Sequence, residues 1–304
     1  FLRKMGNGKK LMAVVKANAY GHGSIPVAQH LDNMVDGFAV AITQEATDLR
    51  NAGITSDILV LEGPHDESEL ELMSKLKVWP TLSDSRQAPW FKHFASDLPS
   101  IWLKVNSGMN RLGIEIDDIE WITSELRSNG ARKLTLMSHL ASAEQPNSNL
   151  TKSQMGAWKK IIGDWIGPIS LDNSAAIRTS LNTNSDWARA GYALYGGQIN
   201  GLPVNENLLP SMLLETSVLT VRQISRGQSV GYGGRWVAPR DSAIATLPVG
   251  YGDGYPRQLS NRGEVLINGQ RRPIVGRVCM DQFMVDCNSE NQNAGDEVIL
   301  IGEQ

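Results

Sequence analysis

The first two thirds of the chain alternate between short runs of β-forming residues and longer mixed segments. Eight such runs cover residues 11–16, 37–42, 57–61, 77–82, 101–106, 134–139, 169–172 and 191–195. Several are apolar on both faces, as in Leu11-Met12-Ala13-Val14-Val15, which suits parallel strands covered by helices. The segments between them are long enough for helices. In 115–128, Ile116, Ile119, Ile122 and Leu126 recur at helical spacing. Eight β/α units in about 200 residues predict a TIM barrel, with a doubly wound open sheet as the alternative topology.

From about residue 208 the texture changes. Runs at 213–224, 243–247, 264–267, 271–275, 277–286 and 297–301 follow one another with few helical patterns between them. Asn268-Gly269 separates two of these runs and reads as a hairpin turn, because both residues tolerate positive φ. The pattern predicts an α/β barrel over 1–207 and a second, mainly antiparallel β domain over 208–304.

Composition narrows the function classes. Apolar residues make up 41%, and the 29 glycines bring the fraction to the level of an ordinary globular protein. The 29 basic and 32 acidic residues leave a net charge of -3, which argues against a nucleic-acid-binding surface. No block of like charge suggests a membrane patch, and no apolar run approaches the ~18 residues of a membrane span. No signal peptide is visible, although the chain opens at Phe1 rather than Met. Cys279 and Cys287 are too few for a disulfide scaffold and read as reduced thiols of a cytoplasmic protein.

Candidate chemistry lies at the strand ends. Lys16, Asn106, His139, Asp172 and Asn173 all fall at or just after the C-terminal ends of predicted runs. In a barrel those ends converge on one rim, where active sites are built. Lys16 closes an apolar run and precedes a loop containing Gly21 and Gly23. An amine at such a mouth can be partly desolvated, which favours its neutral, nucleophilic form and allows attachment to an aldehyde cofactor. Lys16 alone reads more readily as an ordinary exposed strand-end lysine, since most lysines are exposed.

The longer string changes that. Ala13-Val14-Val15-Lys16-Ala17-Asn18-Ala19-Tyr20-Gly21-His22-Gly23 resembles the pyridoxal phosphate (PLP) attachment signature of alanine racemases. The resemblance continues from about residue 11 to the end of the chain. It passes through Lys104-Val105-Asn106-Ser107-Gly108-Met109-Asn110-Arg111-Leu112-Gly113, Ser138-His139-Leu140-Ala141, Asn173-Ser174-Ala175-Ala176 and Arg189-Ala190-Gly191-Tyr192-Ala193-Leu194-Tyr195-Gly196. In the β domain it includes Val230-Gly231-Tyr232-Gly233-Gly234, Gly250-Tyr251-Gly252-Asp253-Gly254-Tyr255-Pro256-Arg257 and Val275-Gly276-Arg277-Val278-Cys279-Met280-Asp281.

The resemblance implies a PLP-dependent racemase that interconverts L- and D-alanine and supplies D-alanine for peptidoglycan. Lys16 would anchor PLP and exchange a proton on one face of the substrate Cα, and Tyr232 would serve the opposite face. A phenol is a poor base at neutral pH, so Tyr232 needs a polar neighbour, a place the resemblance gives to His139 beside Arg189. Arg189 would face the pyridine nitrogen. A guanidinium does not give up its proton, so the ring nitrogen would stay neutral and transamination would be suppressed. Arg111 would touch the phenolic oxygen of PLP and the substrate carboxylate. Tyr20, Ser174, Gly191 and Tyr192 would cradle the phosphate, Met280 would lie beside the substrate and Tyr251 would line its entrance. Lys104 matches a lysine that is often carbamylated in the family. The resemblance implies no metal. It does imply a homodimer in which Tyr232 and Met280 of one subunit complete the site built on Lys16 of the other.

The chain also departs from the family pattern. It opens inside the segment before the first barrel strand, lacking a first β-domain strand, and it ends at Gln304 without a C-terminal segment that carries a phosphate-binding tyrosine. An inactive PLP-binding fragment is therefore one alternative. Asn106 stands where an aspartate is frequent. A related PLP-dependent decarboxylase would be expected to set a carboxylate, not Arg189, against the pyridine nitrogen. A PLP carrier built as a single barrel leaves 208–304 unexplained. A racemase of broader amino-acid specificity is the nearest rival, since one methylene in a pocket changes preference by only about 10–200-fold.

Overall fold

In the computed structural model, which describes residues 1–288 and 292–302, the chain divides into two units, Phe1–Leu209 and Pro210–Gln304. In the first, eight parallel strands alternate with helical segments: β1 (Lys10–Val14), β2 (Gly37–Val40), β3 (Ile58–Val60), β4 (Trp79–Leu82), β5 (Ile101–Lys104), β6 (Leu134–Met137), β7 (Ile169–Ser170) and β8 (Trp187–Ala190). Neighbours pair in the order β7-β6-β5-β4-β3-β2-β1-β8. An Asp172–Ala188 bridge joins the two ends and closes the ring into a TIM-type barrel. The longer covering helices are α1 (Ser24–Leu31), α2 (Thr43–Asn51), α3 (Glu67–Lys75), α4 (Ile119–Ser128), α5 (Asn149–Ile161) and the shorter α6 (Ser174–Thr179). The helix expected over 115–128 begins as a 3-10 turn at Ile116–Asp118 and continues as α4, burying Ile122 and Leu126.

Period-two alternation decides what each strand contributes. On β5, Ile101 and Leu103 face the helices, while Trp102 packs inside with Met12, Val14, Ala39, Leu59, Trp79, Met137 and Trp187. Three indole rings meet there: Trp79 and Trp102 stack at 6.0 Å, and Trp187 lies edge-on to both at 5.6 and 5.8 Å. These rings fill the barrel interior below the strands' C-terminal ends. A Cβ on Gly63, which has φ +81°, would overlap the Thr81 carbonyl oxygen. Glycine is therefore required where the chain leaves β3 against β4.

Three strand expectations are corrected. The eighth strand is Trp187–Ala190, not 191–195, which starts with Gly191 and forms a 3-10 turn at Tyr192–Tyr195. The charge of Arg189 disguised the strand, because the side chain is buried inside the barrel (5% exposed). The single run 213–224 is two strands, β9 (Leu214–Ser217) and β10 (Thr220–Ile224), which lie at opposite ends of the sheet order. The run 277–286 forms a strand only at its end.

The second unit holds a seven-stranded antiparallel sheet, order β10-β13-β16-β15-β14-β17-β9, with β13 (Ser242–Leu247), β14 (Glu264–Ile267), β15 (Gln270–Val275), β16 (Phe283–Asp286) and β17 (Glu297–Ile301). A separate pair joins β11 (Ser229–Val230) to β12 (Trp236–Val237). Asn268 and Gly269 have φ of 51° and 73°, and Ile267 pairs with Gln270 across them. That is the two-residue hairpin expected from the sequence. Val265, Ile267, Phe283, Val285 and Val298 form the unit's core, with the Tyr255 ring stacked on Phe283 at 4.8 Å.

Gly63→Ala should lower stability by about 2 kcal/mol or more, from combined backbone strain and overlap. Urea unfolding of the variant checks this, and an unchanged midpoint would contradict the packing described for β3 and β4.

Candidate active site

A cavity of about 470 Å³ opens at the C-terminal ends of the barrel strands. Lys16, Tyr20, Arg111, His139, Ser174, Arg189, Gly191 and Tyr192 all line it, and so does Lys104. A larger cavity of about 990 Å³ lies at the opposite ends of β1 and β8 and contains none of these residues. Asp172 faces that second cavity. Its side chain accepts from Thr183 Oγ1 and pairs with Lys9 Nζ at 2.5 Å. The expectation that Asp172 shares the rim with Lys16 is thus corrected: its side chain turns outward from the ring. Asn106 stays out of the cavity lining as well. Its Oδ1 accepts from the Gly108 and Asn110 backbone N–H groups, each at 3.1 Å, and shapes the loop that carries Arg111.

Lys16 enters the cavity from a strained segment. Ala17, Asn18, Ala19 and Tyr20 all adopt left-handed conformations, with φ between 52° and 56°. Left-handed backbone costs about 1–2 kcal/mol per ordinary L-residue, and the small side chains of Ala17 and Ala19 keep the turn open. Glu45 offsets part of this cost. Its carboxylate accepts from the Ala17 backbone N–H at 2.6 Å and from that of Ala41 at 2.7 Å. Asn18 Oδ1 accepts from the Ser24 backbone N–H at 2.9 Å. The strain and its supports are adjacent to the candidate nucleophile, where such devices commonly set side-chain direction.

Arg189 is the buried charge at the centre. Its guanidinium donates to Ser170 Oγ and, at 2.7 Å, to the Ser138 carbonyl oxygen. Burial lowers its pKa to about 10, with Asp172 acting the other way, so it stays charged at neutral pH. His139 Nδ1 lies 3.4 Å from Arg189 Nη2. A guanidinium only donates, so Nδ1 is the acceptor and the ring proton sits on Nε2. Burial first, then Arg189, Lys104, Arg111 and Lys16, pushes the imidazole down to about 3. Burial and the same neighbouring cations bring Lys104 down to about 8, with Glu62 opposing them.

One wall has a cradle. Ser174 Oγ accepts from the backbone N–H groups of Gly191 at 3.2 Å and Ala193 at 3.1 Å. A Cβ at Gly191 would meet the Tyr20 ring at 3.1 Å and its hydroxyl closer still. Only glycine therefore leaves the Tyr20 and Ser174 hydroxyls beside open space. Four cationic side chains against one carboxylate, Glu62, make the cavity electropositive. The cradle and this charge fit a phosphate-bearing aldehyde cofactor together with a small carboxylate substrate.

The other three predicted residues belong to the second unit and gather around one segment of it. The Tyr251 and Gly252 backbone N–H groups donate to the carbonyls of Cys279 and Met280 at 2.9 and 2.8 Å. Gly276 leaves room for the Val230 carbonyl, and a Cβ on Gly231 would lie 3.9 Å from the Arg277 nitrogen. Tyr232, Met280 and Tyr251 are 72%, 55% and 41% exposed. Arg257 stacks over the Tyr251 ring at 5.5 Å. Cys279 is half-buried and Cys287 is buried.

With this geometry in view, comparison with known proteins is decisive. Residues 1–199 match the family model "Alanine racemase, N-terminal domain", and 211–304 match "Alanine racemase, C-terminal domain". The chain belongs to the alanine racemase family. It is 40% identical over 296 residues to an alanine racemase of Alteromonas mediterranea, covering 96% of this chain and 82% of that one. It is 41% identical over 311 residues to one from Azoarcus sp., covering 100% and 86%. The crystal structure of the biosynthetic alanine racemase from Pseudomonas aeruginosa superposes with a TM-score of 0.93 at 37% identity, over 99% of this chain and 86% of that one. The alanine racemase of Bartonella henselae, solved with covalently bound pyridoxal phosphate, gives a TM-score of 0.87 at 30% identity, over 99% and 86%.

Sequence reasoning missed Glu45, Ser138, Ser170 and Glu62. Glu45 carried a signal, since a Glu at the third position of a helix commonly caps the preceding backbone. Ser138 and Ser170 carried none, because only the fold sets them against Arg189.

The depressed imidazole has a consequence for stability. Between about pH 6.5, the ordinary histidine value, and about 3, the unfolded chain binds a proton that folded His139 refuses. Stability contributed here is therefore complete above about 6.5 and falls as pH drops, by at most about 1.4 kcal/mol per unit. Urea unfolding from pH 7 to 4.5 should show this slope reduced in His139→Gln, and identical slopes in the two proteins would contradict a neutral, buried His139.

Proposed function

We propose that this chain interconverts L- and D-alanine with pyridoxal phosphate bound in the 470 Å³ cavity, acting as a homodimer. The observation that carries the reading is the convergence of Lys16, Arg111, His139, Arg189 and the Gly191 cradle in one electropositive cavity of an alanine racemase family member. The resemblance extends the reading to D-alanine supply for peptidoglycan and to a cytoplasmic setting.

Lys16 would hold the cofactor covalently, and the Tyr20 hydroxyl, Ser174, Gly191 and Tyr192 would hold its phosphate. Bound pyridoxal phosphate supplies an electron-withdrawing ring that makes the Cα–H of attached alanine acidic. Arg189 would be the partner of the ring nitrogen and, unable to accept a proton, would leave it neutral. A neutral ring would withdraw electrons less strongly, which would suppress transamination. Arg111 holds the substrate carboxylate through its fixed N–H donors. Lys16 moves the proton on one face of Cα and Tyr232 on the other, since inversion requires removal from one side and return from the opposite side. The His139 Nε2–H, fixed by the Arg189 contact on Nδ1, would be the donor that stabilises a Tyr232 phenolate supplied by the partner subunit. Tyr232 and Met280, both highly exposed on the second unit, come from the partner subunit, and Tyr251 lines the entrance.

The purified chain with added pyridoxal phosphate should show a visible absorbance band and convert L-alanine to D-alanine. Lys16→Ala should lose cofactor that survives borohydride reduction and denaturation, and retention of that cofactor would exclude Lys16 as the anchor. Tyr232→Phe should depress solvent-deuterium incorporation from one alanine isomer about 100-fold more than from the other. Equal losses from both isomers would contradict the two-base assignment.

A further inference from the structure

Among the described residues that line the cavity Glu62 is the single carboxylate, in a lining that also holds Lys16, Lys104, Arg111 and Arg189. Its backbone is fixed from two sides. The N–H donates to the Ala41 carbonyl at 3.1 Å, and the carbonyl accepts from Ser83 Oγ at 3.1 Å. Glu62 and Leu112 also line a second cavity of about 520 Å³, so these two residues stand between the two spaces. On that outer side His65 Nε2 lies 3.5 Å from the Glu62 carboxylate, while His65 Nδ1 lies 3.4 Å from Glu69. The Glu62 side chain is 45% exposed, as expected at a mouth rather than a floor. Nothing in the proposed chemistry uses it.

The charge balance suggests its use. In the proposed chemistry Lys16 and Arg189 serve the cofactor and Arg111 the substrate carboxylate, yet a second carboxylate on a substrate side chain would still find Lys104 in the same cavity. An otherwise cationic cavity would therefore welcome dicarboxylic amino acids. The negative charge of Glu62, which acts on Lys104, opposes this by like-charge repulsion, a standard means of rejecting a wrong ligand. We propose that Glu62 is a specificity-determining residue that selects against amino acids with anionic side chains. The proposal rests on the reading of this cavity as an amino-acid site.

The test compares propanoate with malonate, which are nearly isosteric and differ by one carboxylate. Their binding is measured by calorimetry on the cofactor-loaded protein and by competition with alanine turnover. In Glu62→Gln the affinity for malonate relative to propanoate should rise about 10-fold or more over the unmodified protein. Glu62→Asp should restore most of the discrimination. Glu62→Ala makes the same comparison if Glu62→Gln does not fold. An unchanged ratio in Gln or Ala variants that still bind propanoate would overturn the proposal. Absence of alanine turnover in the unmodified protein would instead sink the function reading, while calorimetry would still report on Glu62.

Discussion

A buried guanidinium without a carboxylate against it in the cavity is the constraint on which the site depends. Arg189 reaches the barrel interior because β8 alternates Trp187 and Arg189 inward with Ala188 and Ala190 outward. Its N–H groups are taken up by Ser170 Oγ and the Ser138 carbonyl rather than by an acid. Asp172, the one acid that supports its charge, is occupied outside the cavity by Thr183 and Lys9. The positive field is therefore left uncancelled. It helps to keep His139 neutral with a defined tautomer and adds to the burial that draws Lys104 down to about 8. A carboxylate in place of Ser170 would discharge that field and reverse these consequences.

Rigid surroundings make such a field usable. The three indoles beneath the cavity fill the lower barrel and exclude bulk water. Above them the left-handed turn at 17–20, braced by Glu45, aims Lys16 in a direction a relaxed turn would not give. Gly191 completes the arrangement by omission, since any side chain there would collide with Tyr20. Precision in this site thus comes from strained or space-limited backbone anchored on strands, and flexible side chains such as Arg111 are left to follow the ligand.

Much of this was legible in the sequence, and the rest was hidden for identifiable reasons. Apolar runs located seven of the eight barrel strands, because parallel strands covered on both faces read as nearly continuous hydrophobic segments. The eighth failed because Arg189 looks like a surface residue in a linear string. The Asn268-Gly269 hairpin was readable since its turn chemistry is local. The division of 213–224 into two strands was not, because edge pairing at both ends of a sheet is a property of the closed structure. Among site residues, the Lys16 string stood out by resemblance to a family, whereas its Glu45 brace, 28 positions later in the chain, is linked to it only through β1 and β2 lying side by side. Asp172 shows the converse error. Its place after a strand suggested the rim, but its side chain turns outward.

Sharing of one site between subunits, with Lys16 from one and Tyr232 from the other on opposite faces of the substrate, is the proposed arrangement. It is tested most directly by subunit complementation. Lys16→Ala and Tyr232→Phe proteins, each nearly inactive alone, are mixed under conditions that exchange subunits. Half of the resulting dimers are hybrids, and each hybrid holds one site with both residues intact. Activity should recover to about a quarter of the unmodified level, as twofold symmetry requires. No recovery despite demonstrated exchange would contradict the account and place both residues of each working site on the same chain.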